Sequence, residues 1–525
     1  MTKKRESLIS KVLPSNTSVG LAAIVLLAVM SILGVVFPNE FQRITQQMRD
    51  YITYGLGWYY LLLVTGIVLL CLFFIFSPGG NIRLGDPGSK PEHSKKSWLA
   101  MLFSAGMGIG LVFFGAAEPL SHYAVSAPGS EVGSQAALAD ALRYSFFHWG
   151  IHAWAVYAIV ALALAYFKFR KKERSLLSVT LKPLFLNWTE RFPGKVIDTI
   201  CLIATAIGVA TTLGFGAVQI NSGLSYLFDI PENFTVQLII IVIATTCFML
   251  SAIAGINRGI KLLSNINIFL ALLLMVVVLA IGPTVHIMNA FVDTIGSYLQ
   301  MFIRMSFRTA AFDAVHHAWI EKWTIFYWAW WLSWAPFVGI FIAGISKGRT
   351  IREFLIHVLL IPTIFSFLWF SVFGILAADS YDANPSLAKL TSEQILFGVF
   401  DSYSIGIVLS VTAVVLIFCF FITSADSATH VLAMLSENGT LTPHVRTKVI
   451  WGIIISAIAA ILLVAGGLMA LQNVLMIIAL PFSVVIILMM ISLYIEIRHE
   501  QREMGLYLKP ETYPEKDSPF RSYED

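Results

Sequence analysis

Apolar residues in this chain gather into long unbroken runs instead of alternating with polar ones. Twelve such runs begin near Val19, Trp58, Trp98, Phe146, Ile197, Gln237, Leu263, Trp323, Phe354, Ile405, Val449 and Leu471. Each is close to the ~20 residues that carry an α-helix across a hydrocarbon core, so the pattern predicts an all-α integral membrane protein with twelve transmembrane helices. Between the seventh and eighth runs (286–322), Phe291, Ile295, Tyr298 and Phe302 recur at helical spacing. That stripe predicts an amphipathic helix, lying along the outer interface or packed on the protein. From about Glu496 the charges alternate and Pro510 and Pro514 follow, which predicts a short helical extension and then a disordered end.

Composition agrees with a membrane chain. Of 525 residues, 57% are hydrophobic and 13% charged, about half the usual charge of soluble proteins. Mean hydropathy is +0.78. The net charge of +4 matters through its placement. With both termini cytoplasmic, inside segments carry 28 of the 35 Lys and Arg and outside segments carry 7, as the positive-inside rule requires. An odd number of spans would scramble that alternation. The basic start "MTKKRESLISK" lacks a small-residue cleavage site after the first run, so the first helix is expected to be retained. The expected place is therefore the cell membrane, multi-pass, among lipid and with no nucleic-acid partner. Cys71, Cys201, Cys247 and Cys419 all fall inside apolar runs and read as reduced packing residues.

Two runs carry interruptions. The third contains "SAGMGIGLVFFGAAEP", with Gly106, Gly108 and Gly110, and the eighth contains "SWAPFVG", with Pro336 and Gly339. Read as the first helices of two five-helix repeats (98–285 and 323–494), they point to an inverted-repeat transporter binding its cargo at broken helices. Unpaired backbone groups at such a break attract ions and carboxylates. Close helix packing of the small-xxx-small type explains the glycines equally well.

The stretch "FYWAWWLSWAPF" (326–337) holds seven aromatic residues in twelve positions. At 100° per residue, Phe326, Tyr327, Trp330, Trp331, Trp334 and Phe337 fall within an arc of about 140°, and Trp328 lies outside it. Trp149, Trp154 and Tyr157 in the fourth run form a second group. Two facing clusters would suit a quaternary ammonium, which has no N–H to donate and is best held by π-faces. His148 and His152 are four apart, on one helical face, and invite a metal or a hydrogen-bonding role. No glutamate or third ligand accompanies them in sequence. In the tenth run, "FFITSADSATH" places Phe420, Thr423 and Ser424 one turn apart. Hydroxyls beside opened carbonyls suit Na⁺, while Ser and Thr also bond back to the preceding turn. Repeat symmetry pairs this place with Thr205, Thr211 and Thr212 in the fifth run.

Taken in order, "AGMGIG…EP", "HWGIHAWAVYA", "WAWWLSWAPFVGIFIAGISKGRTIREF" and "TSADSA" resemble the betaine–choline–carnitine transporter family, from about Ser15 to the last span. The resemblance implies a LeuT-type 5+5 inverted-repeat core in spans three to twelve. It sets the order 1–17 cytoplasmic N-terminus, 18–97 two peripheral helices, 98–285 first repeat, 286–322 linker helix, 323–494 second repeat and 495–525 cytoplasmic tail. It implies an aromatic box of Trp149, Trp154, Tyr157, Trp331 and Trp334, with Trp330 and Phe326 lining the path and Gly106, Gly108 and Gly110 beside the substrate. It implies a Na⁺ site from Ser104, Ala105 and Met107 with Phe420, Thr423 and Ser424. A second site would involve Thr205 and Phe337, but Val209 stands where sodium-coupled members usually place a Thr and offers no oxygen.

Gly110 stands where choline carriers of the family tend to have an acidic residue, which favours a zwitterion such as glycine betaine. Asn267 stands where sodium-independent carnitine exchangers have arginine. The expectation is Na⁺-coupled uptake of glycine betaine or a related trimethylammonium solute, with no other cofactor and, as is common among relatives, a homotrimer. The alternative is proton-coupled choline uptake, for which His148, His152, Glu118 and Asp426 are the proton-carrying candidates. No nucleophile–base pair indicates an enzyme, and no selectivity filter indicates a channel.

Overall fold

The computed structural model describes residues 18–106, 108–254 and 257–505; for Phe103–Gly106, Ala254 and Asn257–Lys261 only the backbone is described. Among the described residues all regular structure is helical apart from one isolated bridge, Arg83 with Thr350. The main helices are α1 (Ser18–Val36), α2 (Pro38–Phe76), α3 (Lys95–Gly106), α4 (Ile109–Leu120), α5 (Gln135–Trp149), α6 (Ile151–Ala165), α7 (Phe192–Phe228), α8 (Phe234–Ala254), α9 (Asn257–Ile281), α10 (Thr284–Ser306), α11 (Ala314–Ile320), α12 (Phe326–Ile345), α13 (Ile351–Ala383), α14 (Ser392–Asp401), α15 (Gly406–Ser436) and α16 (Val445–Glu503).

Ten helical segments are long and apolar enough to cross a membrane. Two other features complicate that number. Helices α3 and α4 are 12 residues each, too short singly, and are separated only by the glycine-rich break. Helix α16, 59 residues long, contains a kink at Gly466 and Gly467. Gly467 has φ +63°, the left-handed region that side-chain-bearing residues avoid.

Burial separates core from periphery. In their most apolar stretches, Gln135–Arg170 is 94% buried and Ala314–Ile345 is 83% buried, against 22% for α1 and 28% for the segments of α8 and α9. Val242, Ile243, Phe269 and Val276 on the latter pair are exposed, and in a bilayer those apolar faces meet lipid at no cost. The central pair packs closely: a Cβ on Gly339 of α12 would come within 2.8 Å of Val160 on α6. One end of the bundle is tied by backbone bonds: Leu84 N–H to Arg349 O (2.8 Å), Gly348 N–H to Leu84 O (2.7 Å) and Ile351 N–H to Ile82 O (2.9 Å).

One expectation needs correction, and one open alternative is resolved. Helix α12 runs unbroken through Pro336 and Gly339. The proline removes one hydrogen bond, but its tightly packed neighbours hold the backbone in helix. The irregular turn of this span lies earlier, as a π-helical turn at Glu321–Ile325. Second, the stripe of α10 faces protein: Tyr298 packs on Phe367 (5.0 Å between ring centroids) and Phe302 on His152 (4.7 Å), while Val285, Val292, Leu299 and Ile303 on the other side are exposed. Residues 1–17, Met107 and 506–525, which include the expected N-terminal segment and the end of the tail, lie outside the described residues.

Candidate aromatic site

The fourth apolar run is not one straight helix. α5 ends at Trp149, and Gly150 adopts φ −96°, ψ −138° before α6 begins. A Cβ on Gly150 would collide with the Phe146 carbonyl and come within 2.7 Å of Phe367, so the chain can turn here only without a side chain. The break frees the His148 carbonyl, which accepts the Trp331 indole N–H at 2.9 Å.

Around that break, Trp149, Trp154 and Tyr157 meet Trp330, Trp331 and Trp334 from α12. Together with Gly108–Leu111, Thr212 and Ser366 they enclose a cavity of about 60 Å³. Trp149 stands edge-on to Trp331 (4.8 Å, 71°), as does Tyr157 (6.1 Å, 76°). Trp330 and Trp331 are nearly parallel at 5.1 Å and 11°. Trp334 donates its N–H to the Gly208 carbonyl at 2.9 Å. The Trp331 and Trp334 N–H groups are tied to backbone carbonyls, while Trp330 Nε1 is buried without a hydrogen-bond partner; a cation without N–H groups is best accommodated by the ring faces of such an enclosure.

The glycine break supplies the remaining wall. Leu111 N–H bonds the Gly108 carbonyl at 3.2 Å, and Trp369 donates to the Leu111 carbonyl at 3.0 Å, fixing the start of α4. A Cβ on Gly110 would lie 2.9 Å from Trp330 and 3.1 Å from Trp149. Gly110 is thus required by close approach of the box walls. Gly106 belongs to the backbone-only stretch.

The aromatic arc of α12 serves three spaces stacked along the helix. Phe326, at one end, lines a larger cavity of about 460 Å³ with Phe113, Phe114, Phe215 and Trp323. Between it and the box, Phe114 and Phe215 contact Trp330 at 5.7 and 5.2 Å. Phe337, at the other end, lines a third cavity of about 150 Å³ with Gly108, Asn267, Trp334, Phe420, Thr423 and Ser424. Trp328, the ring outside the arc, packs on Phe147 and His152 instead (5.2 and 5.5 Å).

In the third cavity, Thr423 Oγ bonds the Cys419 carbonyl at 3.0 Å and accepts from the Asn267 amide at 2.9 Å. The Asn267 carbonyl oxygen is buried without a hydrogen-bond partner, so an oxygen donor beside Thr423 is left open to a cation. The oxygens here are neutral and hard, a set that fits Na⁺ better than a transition metal. Of the expected partners from the third run, Ser104 and Ala105 have only backbone described and Met107 lies outside the described residues. Thr205 Oγ is committed to the Cys201 carbonyl at 2.8 Å, and Val209 beside it is buried.

The two histidines do not act together. Because the helix breaks at Gly150, His148 points to Glu118 (2.7 Å) and Thr324 (2.9 Å), whereas His152 points to Ser306 (2.9 Å). Sequence spacing concealed a tighter group: Glu118 accepts from Trp149 Nε1 at 2.7 Å and from the Tyr327 hydroxyl, and His122 lies 3.4 Å from its other oxygen. Glu118, His122 and His148 are all fully buried. Only an acidic residue inside an apolar run signalled it. Asp426 stands apart from this group, its backbone carbonyl accepting from Thr429.

Comparison with known proteins decides the family. The chain matches the family described as BCCT, betaine/carnitine/choline family transporter, over residues 18–502. This chain belongs to that family. The transporter is 56% identical over 472 residues to the glycine betaine transporter OpuD of Bacillus subtilis, covering 90% of this chain and 92% of that protein. It is 42% identical to an ectoine/hydroxyectoine transporter of Virgibacillus pantothenticus, with 88% and 92% covered. It is 37% identical to the osmo-dependent choline transporter BetT2 of Acinetobacter baylyi, with 92% and 72% covered. It is a multi-pass membrane transporter and not an enzyme.

Proposed function

We propose that this transporter carries glycine betaine, or a closely related trimethylammonium solute, into the cell by Na⁺ symport. The observation that carries the reading is the box: six aromatic side chains from three helices (α5, α6 and α12) around one cavity, with glycine at 108 and 110 leaving backbone on the open side. The trimethylammonium rests on the ring faces, and the carboxylate lies against the first turn of α4, whose unpaired N–H groups attract negative charge. Na⁺ is held by Thr423, Ser424 and the Phe420 carbonyl with backbone of Ser104, Ala105 and Met107. Val209 removes the side-chain oxygen from the second position, so one Na⁺ per cycle is the expected stoichiometry there.

The architecture we infer has twelve spans. It counts α3 and α4 as one broken span, joined by the glycines, and α16 as two, divided at Gly466–Gly467. Spans three to twelve then form two inverted five-helix repeats, and the distribution of Lys and Arg supports cytoplasmic termini in the cell membrane. Alternating access opens the box toward the Phe326 side and then toward the Phe337 side.

Proton-coupled choline uptake is the second reading, favoured by Val209 and by the buried Glu118–His148 pair. Labelled glycine betaine uptake into proteoliposomes separates them. Accumulation driven by an inward Na⁺ gradient at clamped potential supports the symport reading. Accumulation driven only by an inward proton gradient, and competed by choline, replaces it with the second.

A further inference from the structure

We propose that Glu118 is a specificity-determining residue, whose carboxylate behind the aromatic box makes the box select a positively charged head group. The inference rests on the reading of the box as the solute site.

A buried carboxylate is expensive unless paired. Glu118 is 0% exposed, and among the described residues its ion-pair neighbours are His122 and His148, with no Lys or Arg in reach. Its partners show the form it takes. Trp149 Nε1–H can only donate, the Tyr327 hydroxyl points at the same oxygen, and His148 Nδ1 faces the other. An ionised, acceptor-only carboxylate suits this set, taking the Trp149 and Tyr327 donors on one oxygen and a donating His148 Nδ1 on the other. His148 need not cancel that charge. The Thr324 hydroxyl faces His148 Nε2 at 2.9 Å, and when it donates there the imidazole stays neutral with its proton on Nδ1.

If the role were only to hold Trp149 and Tyr327 in place, a neutral acceptor would serve at lower cost. A charge at this position gains its compensation when a cation enters the box. The indole that donates to Glu118 is itself a wall of the cavity and stands 4.8 Å from Trp331. A cation held within about 6 Å of that ring has the carboxylate just behind it, and hydrogen bonding to the carboxylate enriches the π-face in negative charge. Tyr327, stacked on Trp331 at 5.7 Å and 19°, relays the same charge to the facing wall. Lys322 lines the neighbouring cavity with Glu393 and makes no ion pair to Glu118.

The test uses the purified full-length transporter in saturating Na⁺ and compares two ligands of equal shape: glycine betaine and 3,3-dimethylbutanoate, in which carbon replaces the charged nitrogen. Affinities are read from tryptophan fluorescence and from competition with labelled betaine. In E118Q, betaine affinity should fall about tenfold, the order expected for opposite charges at this separation with an effective dielectric of about 20. Affinity for the uncharged-head analogue should hold or rise, and E118D should recover most of the betaine affinity. Gln supplies one acceptor too few for three donors, so the double variant E118Q with Tyr327→Phe, compared with Tyr327→Phe alone, carries the same expectation if E118Q does not fold. Equal losses for both ligands, loss in E118D as large as in E118Q, or unchanged betaine affinity would each overturn the proposal. Failure of the unmodified transporter to bind betaine would instead overturn the solute assignment itself.

Discussion

Trp331 is anchored to the backbone of another helix: its indole N–H bonds the His148 carbonyl at 2.9 Å. That carbonyl is available because the helix ends one residue later, at Trp149. A wall of the box on α12 is therefore positioned by the break between α5 and α6, and ring placement depends on two helices keeping register.

Removing single rings should weaken binding without abolishing the fold. Trp331→Leu and Trp334→Leu are each expected to cost on the order of 1–2 kcal/mol of betaine affinity, the range of a desolvated cation–π contact. Calorimetric titration should show a dissociation constant raised roughly 5–30-fold. A Trp334→Leu variant binding as tightly as its parent would remove that residue from the box.

Trp328 supplies the contrast. It lies on the same helix and is 1% exposed, yet it packs on Phe147 and His152, away from the cavity. Trp328→Phe should lower thermal stability by about 1–3 kcal/mol as a large-to-small core change, while the betaine dissociation constant stays within about twofold. A large loss of affinity at unchanged stability would contradict this division of the helix.

Gly110 is expected to tolerate nothing larger. In Gly110→Ala the new methyl group, 2.9 Å from Trp330 and 3.1 Å from Trp149, must push the rings apart, and overpacking of this kind typically costs about 1–3 kcal/mol. Betaine transport should show a raised KM with expression near the parental level. Unchanged KM would mean that the rings yield freely.

The cation assignment turns on Thr423. Thr423→Ala removes a hydroxyl that bonds Asn267 and faces the third cavity. The Na⁺ concentration giving half-maximal uptake should rise about tenfold or more, with betaine affinity at saturating Na⁺ far less affected. Uptake that keeps its Na⁺ dependence in this variant would move the ion elsewhere.

Much of this was legible in the sequence because membrane helices obey simple rules. Length and apolarity marked the runs, and the 3.6-residue period put Phe326, Tyr327, Trp330, Trp331, Trp334 and Phe337 on one side of α12 and Trp328 on the other. What periodicity could not supply was the state of the helix itself. Pro336 suggested a break where packing keeps α12 continuous, and His148 with His152 suggested one face where Gly150 divides two helices. Glu118 was legible as an oddity only, since His148 is 30 residues away and Tyr327 is 209. A contact across that separation leaves no local pattern.

Gly108, Trp334 and Val338 each line both the box and the cavity that holds Thr423. The partition between the two is a single layer of side chains and one stretch of backbone. Whatever displaces Trp334 on one side changes the free volume on the other, so under the proposed assignment solute and ion need no distant relay to sense each other. Such coupling is reciprocal: the factor by which an ion at Thr423 tightens solute binding is the factor by which solute tightens the ion. The worth of this partition is therefore measurable from either direction, as one number.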